Sequence, residues 1–219
     1  MGKKISKLRE KDVGAIGIGA MIVFIAMVLV AGIAASVLIQ TSGKLEMQAM
    51  KSGQETIAEV ATGIQVEGIE GYNASGEGVI SLLAIEIRAR AGSKEVDISE
   101  TVVELTDLNT KNLFTYNSGN FTPIEDIDGN IFTASFYPFN NNTVFGLIVL
   151  EDADNSVTAT NPIINVGDHV ILTINVTKAF GGLSARVDVT GLVIPEEGSP
   201  GTVSFTTPAS YTDAVVELQ

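Results

Sequence analysis

The chain has 219 residues, of which 45% are hydrophobic and none is cysteine. This composition is apolar enough for a packed core, which argues against general disorder, and the lack of cysteine excludes disulfides, zinc fingers, iron–sulfur clusters and thiol catalysis. The formal net charge is −13; residues 1–14 hold five basic and two acidic side chains, a net of +3, so the remainder carries −16. A body this acidic repels phosphate backbones, and we expect no nucleic-acid partner.

The first predicted element is an apolar helix behind the basic head "MGKKISKLRE". No residue from Ala15 to Ile39 is charged. At about 1.5 Å per residue, such a helix covers the roughly 30 Å of a bilayer core, and the basic head suits its cytoplasmic side. The alternative is a secretory signal, but its apolar region is normally only about 7–15 residues long. A cut before Ser36 would also place Ile33 where a small residue is required.

The apolar periodicity continues beyond the length of a membrane span. Met50, Ile57 and Ile64 lie seven residues apart, with charged residues between them, so they fall on one stripe of a helix. A single helix from Ala15 to about Thr62 would be roughly 70 Å long. Such a helix is either a stalk that holds a domain off a membrane or a helix that packs against copies of itself.

Three stretches of the chain resemble the archaellins, which are the filament subunits of the archaeal flagellum. They are "GAIGIGAMIVFIAMVLVAGIAASVLIQTSGKLEMQAMKSGQETIAEVATGIQVEGIEGY", "FGLIVLEDADNSVTATNPIINVGDHVILTINV" and the C-terminal "GLVIPEEGSPGTVSFTTPASYTDAVVELQ". Type IV pilins, a related family, usually have a glutamate five residues after the leader. Gly19 stands at that place here, which fits archaellins better.

The resemblance implies a processing and assembly route. A prepilin-type peptidase would remove the leader, residues 1–14, between Gly14 and Ala15. The helix, residues 15–63, would first lie in the cell membrane, and the archaellum assembly motor would then move it into the core of an extracellular filament. The partners implied are further copies of this chain or related subunits. The apolar helix suits both places, because neither contains water.

The rest of the chain predicts a linker and a β-domain. Residues 64–78 are rich in Gly and charge and are interpreted as a linker, and residues 79–219 as the outer domain. Alternation in "LAIEIRAR" predicts a strand with one solvated face. Similar runs lie at residues 101–105, 131–137, 144–150, 169–176, 184–190, 202–206 and 211–218. We therefore predict an α+β protein, a long helix followed by an antiparallel β-sandwich or barrel of Ig-like type. Its core would include Leu83, Ile85, Ile87, Val170, Leu172, Ile174, Val187 and Val189.

No catalytic motif is found in the sequence. The one histidine, His169 beside Asp168, lacks the other groups of a triad and is interpreted as structural, so we expect no enzyme activity. The loop "EDIDGN" places Asp126, Asp128 and Asn130 at alternate positions, as in half of a Ca²⁺ loop, and "EDADNS" from Glu151 is comparable. The alternative for both is a solvated acidic turn.

Four sequons predict N-glycosylation, at Asn73, Asn120, Asn141 and Asn175. Because Asn175 alternates with the apolar Ile174 and Val176, its side chain is expected to point outward, and the other three are expected in loops. The resemblance strengthens this expectation, since archaellins are commonly glycosylated.

Three functions remain to be weighed. The first is a structural subunit of the archaeal flagellum that serves swimming; the second is an adhesive type IV-like pilin; the third is a membrane-tethered extracellular binding protein or enzyme. The amphipathic extension of the helix favours polymerisation, and the lack of a catalytic constellation counts against an enzyme.

Overall fold

The computed structural model describes residues 2–73, 78–127, 129–132, 136–138 and 142–219. The chain divides into two compact units, Met1–Gln54 and Glu55–Gln219. Helix α1, Gly2–Ala61, runs through the first unit and into the second, which confirms the predicted helix to about Thr62. It ends where the backbone of Gly63 comes against that of Ser199. A Cβ at position 63 would lie 2.5 Å from the Ser199 carbonyl oxygen, so only glycine fits there.

The second unit is built on one large β-sheet. Its strands are β1 (Ile64–Tyr72), β2 (Leu82–Ala89), β4 (Val102–Thr106), β5 (Lys111–Thr122), β6 (Val144–Glu151), β8 (His169–Asn175), β9 (Asp188–Ile194), β10 (Gly201–Thr206) and β11 (Val215–Glu217). Their spatial order is β10-β9-β4-β5-β6-β8-β2-β1-β11, and every pair is antiparallel except β5 with β6. Two short strands, β3 (Val96–Asp97) and β7 (Ile163–Ile164), pair separately, and a short helix, α2 (Val176–Phe180), follows β8.

The sheet curls until its two ends meet. The Ile64 amide donates to the Ser199 carbonyl at 3.2 Å, and the Ser199 amide donates back to the Thr62 carbonyl at 2.8 Å. At the C-terminus, the Ser204 amide donates to Oε1 of Gln219 at 3.0 Å. The predicted combination of a long helix with an antiparallel β-domain is therefore confirmed, in the form of a curled, barrel-like sheet.

The predicted core is also confirmed. The interior of the curl is filled by aliphatic and aromatic side chains from all the major strands. Leu83, Ile85, Ile87, Val170, Leu172, Ile174 and Val189 are buried, and Val187 is half-buried at the margin.

The central strands are buried on both faces over part of their length, so the prediction of one solvated face was wrong for Ala84 but holds for Glu86 and Arg88, whose side chains are partly exposed. Leu82, Ala84 and Ile171 on the outer face lie under Phe132, Phe136 and Tyr137. The ring of Phe132 stacks on Tyr72, with centroids 5.1 Å apart, and on Tyr137 at 6.2 Å. The long segment between β5 and β6 thus covers the outer face of β2, β6 and β8 and forms a second, smaller core there.

Other predictions about this unit also need correction. The linker predicted over residues 64–78 begins instead with β1, because Ile64 and Ile69 face the core and a bulge between Val66 and Gly68 keeps them in phase. Residues 74–77 of that range lie outside the described part. Strand β5 was not predicted, since its polar composition gives a weak strand signal and one of its two partners, β6, lies far along the chain.

The strands predicted at residues 131–137 and 184–190 also differ from the structure. In the first, the described residues Ile131, Phe132, Phe136 and Tyr137 lie outside strands, and residues 133–135 are outside the described part. In the second, Arg186 has a φ of 60°, which interrupts extended backbone, so β9 begins only at Asp188.

Candidate assembly site

Most of the exposed large hydrophobic side chains in the described part of the chain lie on helix α1. Residues Ile16–Ala61 form a helix long and apolar enough to cross a membrane, and none of its apolar window is buried within the chain. Phe24 is 67% exposed, Val28 is 54% exposed and Ile39 is 73% exposed. Exposed apolar area of this size marks a site of interaction with lipid or with protein.

The character of this surface changes along the helix. From Ile16 to Ile39 large apolar residues follow one another on all sides of the helix, so no face suits water. Beyond Gln40, Lys44 and Glu46 begin a series of charged residues that alternates with exposed apolar ones such as Met50. This second part has one apolar stripe and one polar face.

The polar group at the transition is satisfied within the helix. The hydroxyl of Thr41 donates to the carbonyl of Val37 at 2.9 Å and to that of Leu38 at 3.0 Å. A hydroxyl bonded back to its own helix can enter an apolar environment without an unsatisfied donor.

Glycines within α1 have no packing partner in the single chain. A Cβ added at Gly17, Gly19 or Gly32 would meet nothing within 4 Å. Each glycine inside a helix costs about 1 kcal/mol relative to alanine. Nothing in the single chain offsets that cost. Close packing against other helices would offset it, because small residues let helix backbones come together. Gly14, at the predicted cleavage position, is exposed and lies inside α1.

The sequons lie differently from the expectation. Asn175 is only 4% exposed, because its Oδ1 caps α2 by accepting a hydrogen bond from the Lys178 amide at 3.1 Å. Strand register pairs Asn175 with Leu82 on the outer face of the sheet, so its side chain points away from the main core as expected, but it is buried there and not open to solvent. Asn73 is also buried. Asn120 lies within β5 and not in the expected loop, and it is half-buried with its Oδ1 accepting from Nδ2 of Asn117 at 3.0 Å. Asn141 lies outside the described residues.

The first acidic loop is only partly described. Asp126 and Asn130 are exposed, and Oδ1 of Asn130 accepts a hydrogen bond from the Phe132 amide at 3.0 Å. Asp128, the middle ligand of the predicted Ca²⁺ site, lies outside the described residues. Asn130 therefore has a turn-forming role that does not depend on a metal.

The second acidic loop gathers three carboxylates. Oxygens of Asp152, Asp154 and Asp168 lie within 4.8 Å of one another. Backbone amides hold all three side chains. Those of Ser156 and Val157 donate to Asp152 at 3.2 and 3.1 Å, those of Ala153 and Asn165 donate to Asp168 at 3.1 and 2.9 Å, and the Ser156 amide also donates to Asp154 at 3.0 Å. Side-chain hydrogen bonds from Ser156 and Asn165 lower the pKa of Asp154. Such an oxygen set suits a hard cation, but the amides already explain much of its arrangement.

His169 belongs to a cross-strand network of polar side chains. Its Nδ1 lies 3.6 Å from carboxylate oxygens of both Glu67 and Glu86, and Nε of Arg88 lies 2.7 Å from Glu67. The network ties β1, β2 and β8 together on the outer surface, in agreement with a structural role for His169.

Comparisons with known proteins match the chain over almost its whole length. A family model described as archaeal-type flagellin matches residues 14–205. Flagellin B2 of Methanocaldococcus jannaschii is 45% identical over 222 residues, covering 99% of this chain and 100% of that protein. Flagellin B1 of Thermoplasma volcanium is 37% identical, covering 99% of this chain and 97% of that protein.

Two solved structures share the fold. The crystal structure of archaeal flagellin FlaB1 from Methanocaldococcus jannaschii matches with a TM-score of 0.65 and 31% identity, covering 73% of this chain and 98% of that one. The archaeal flagellum of Methanospirillum hungatei strain JF1 matches with a TM-score of 0.61, covering 91% of this chain and 98% of that one; at 17% identity this is a likeness of fold.

Proposed function

Because the chain belongs to the archaeal-type flagellin family, and is thus a structural subunit of the archaeal flagellar filament, we propose that it polymerises through α1. The observation that carries this proposal is the uncovered apolar surface from Ile16 to Ile39, which lies on all sides of the helix. A helix of this kind needs either lipid or other apolar helices around it. In a filament, copies of α1 would surround one another and the β-domains would face the solvent. The comparisons give no support to an adhesive pilin or to a tethered binding protein.

The same surface accounts for a precursor held in the membrane. The span is long enough to cross a bilayer, and the positive charge of residues 1–14 would retain its N-terminus in the cytoplasm. Transfer from lipid to filament exchanges one water-free environment for another, so little apolar surface meets water on the way. The assembly motor of the organelle would supply the work of extraction.

The basic leader is incompatible with a place in the filament core. Five cationic side chains from Lys3 to Lys11 would lose their hydration there without enough partners. We therefore assign cleavage to the bond between Gly14 and Ala15, by a prepilin-type peptidase on the cytoplasmic side. The mature subunit would begin with the uncharged stretch.

Sugar attachment is proposed for the sequons that can be reached. Asn120 is half-buried in the native domain, whereas Asn73 and Asn175 are buried and would need local opening or modification before folding. We propose Asn120 and Asn141 as the principal sites, with Asn73 and Asn175 occupied less. Glycans there would also shield the domain surface.

Mass spectrometry of subunits from native filaments tests processing and glycosylation together. The intact mass is expected to lack residues 1–14, and the N-terminal peptide to begin at Ala15. Peptides carrying Asn120 or Asn141 are expected to bear glycans. A subunit that begins at Met1 or Ser36 would contradict the cleavage proposal, and unmodified asparagine at all four sequons would contradict the glycosylation proposal.

Calcium binding by Asp126, Asp128 and Asn130 is retained as a proposal because their oxygen atoms match the preference of this ion. Ca²⁺ bound only to the native state would raise the melting temperature, and a chelator would lower it. The cluster of Asp152, Asp154 and Asp168 would produce the same effect, so Asp126→Asn and Asp154→Asn are compared. Loss of the chelator response in Asp126→Asn alone supports the proposal; an unchanged response in that variant contradicts it.

A structural role leaves no need for catalysis. The described ionisable groups discussed above are engaged in loop hydrogen bonds and cross-strand ion pairs. We therefore propose that this subunit is not an enzyme.

A further inference from the structure

The outer face of the sheet is covered on one side of the curl and bare on the other. Over β2, β6 and β8 it lies under Phe132, Phe136 and Tyr137. Over β4, β5, β9 and β10 it remains open to solvent, and we call the outward residues of these four strands the bare face. Its larger side chains are Val102, Glu104, Lys111, Leu113, Asp188, Leu192 and Ile194, and the other outward positions in the paired register are threonines and a serine.

The strand register concentrates the apolar residues of the bare face. Glu104 pairs with Leu113 on one side and with Leu192 on the other, while Val102 pairs with Ile194. Leu113 is 52% exposed and Ile194 is 37% exposed. These side chains therefore form one contiguous patch in place of scattered surface residues.

The bare face carries little net charge. Glu104 and Lys111 form an ion pair with each other, and the exposed Asp188 at the start of β9 leaves a net charge of −1. Residues 15–219 as a whole carry −16. Two copies of so acidic a molecule repel each other, and the repulsion is smallest where each presents a nearly neutral, apolar surface.

A rigid hairpin extends the apolar surface at one edge. In the turn between β4 and β5, Oδ1 of Asp107 accepts hydrogen bonds from the amides of Asn109 at 3.0 Å and Thr110 at 2.6 Å, and from the Thr110 hydroxyl at 3.0 Å. Leu108 at the tip is 74% exposed. A large apolar side chain on a turn that is already ordered loses little entropy when it is buried by a partner.

We propose that the bare face packs against a neighbouring copy of this chain in the filament. This inference rests on the proposed polymerisation through α1. Four strands about 4.8 Å apart and five residues about 3.4 Å apart give a patch of roughly 300 Å². A stable two-protein interface needs about 800 Å² on each partner. The bare face is therefore too small to join free β-domains, and it acts only where packed helices hold the copies at high effective concentration.

The absence of cysteine provides a direct test, since a single introduced thiol is unique in the chain. Leu113→Cys is made in the full-length subunit, because the side chain is exposed and its replacement leaves the core intact. Maleimide labelling is measured on intact filaments and on the same subunits dissolved in detergent. Val166→Cys is the reference, as Val166 is 63% exposed but lies on the loop before β8.

Assembly is expected to slow labelling of Leu113→Cys about tenfold or more, because a thiol in a contact is inaccessible to the reagent, and to leave Val166→Cys nearly unchanged. Ile194→Cys should behave like Leu113→Cys. Equal labelling of Leu113→Cys in filaments and in detergent would overturn the inference, as would equal protection at both positions, which would indicate general shielding. Because filaments must form before the comparison is made, either result leaves polymerisation itself standing.

Discussion

Glu70 lies on β1 in a surface groove of about 380 Å³ that also contains Glu67, Glu86 and Glu217. The floor of the groove is apolar, and it includes Ala84. Burial raises the pKa of Glu70, and the charges of Glu86 and Glu217 raise it further. The folded state thus binds a proton at Glu70 more tightly than the unfolded state does. Its effect on stability is favourable at acid pH and is lost as the pH rises through the folded-state pKa.

Removal of this charge should stabilise the domain at neutral pH. Glu70→Gln is expected to raise the melting temperature at pH 7, with the gain shrinking toward pH 4 as the wild-type carboxyl becomes protonated. Thermal melting of the full chain in detergent across this pH range measures the effect. Glu125→Gln, at an exposed position outside the groove, is the matched control. A gain that is the same at pH 4 and pH 7 would show that charge repulsion is not its cause.

At the scale of elements, β1 decides where the outer domain begins. It lies between β2 and β11 in the sheet and contributes Ile64 and Ile69, both fully buried, to the core. Gly63 and Thr62 just before it join the far end of the sheet at Ser199. The domain therefore starts near Thr62, and the linker predicted from the Gly-rich composition of residues 64–78 placed this boundary too late.

Two truncated chains test whether the domain begins near Thr62 or only after the predicted linker. A chain that starts at Thr62 is expected to be folded, soluble and monomeric, whereas one that starts at Tyr72 is expected to be unfolded. Loss of two buried isoleucines alone costs more than about 4 kcal/mol, a large part of the 5–15 kcal/mol that stabilises a typical domain. Circular dichroism and size-exclusion chromatography measure both outcomes. A cooperative unfolding transition in the shorter chain would show that β1 is dispensable.

The elements that sequence analysis found correctly are those with a local signal. The uncharged run to Ile39 predicts a helix and the alternation around Ile85 predicts a strand, and neither prediction needs information from distant residues. Strand β5 could not be found in this way, because it is polar and gains its place by pairing with β4 and, in parallel, with β6. The burial of Asn175 was missed for a similar reason, since the strand ends there and its side chain caps the α2 helix that follows.

The apolar surface of α1 could be predicted from the sequence, whereas the bare face of the β-domain could not. An uncharged helix needs no tertiary information to be recognised, since all of its sides are apolar. The bare face depends on register: Leu113 and Leu192 are far apart in sequence and meet only because both pair with Glu104. No local pattern contains that information.

At the scale of the whole molecule, helix α1 and the β-domain have different roles in a filament subunit. Helix α1 exposes an apolar surface that water disfavours, and the β-domain encloses its own core independently. Buried apolar area contributes about 25 cal/mol per Å², so a helix of this length can offset the entropy lost when a subunit is immobilised among many neighbours. The polymer would then be held by the helices, with the bare faces adding weaker contacts between domains.

The measurement that tests this account most directly is filament formation by Val28→Asp in the full chain, with Val28→Leu as the matched apolar control. Val28 is 54% exposed in the single chain, so the β-domain does not depend on it. An isolated charge in the helix core would cost several kcal/mol per subunit, while one Asp within so long an apolar run still permits membrane insertion. Electron microscopy is expected to show no filaments for Val28→Asp and normal ones for Val28→Leu, with both subunits present in the membrane fraction. Val28→Asp filaments of normal number and thermal stability would contradict the account, because the helix would then not be the core of the polymer.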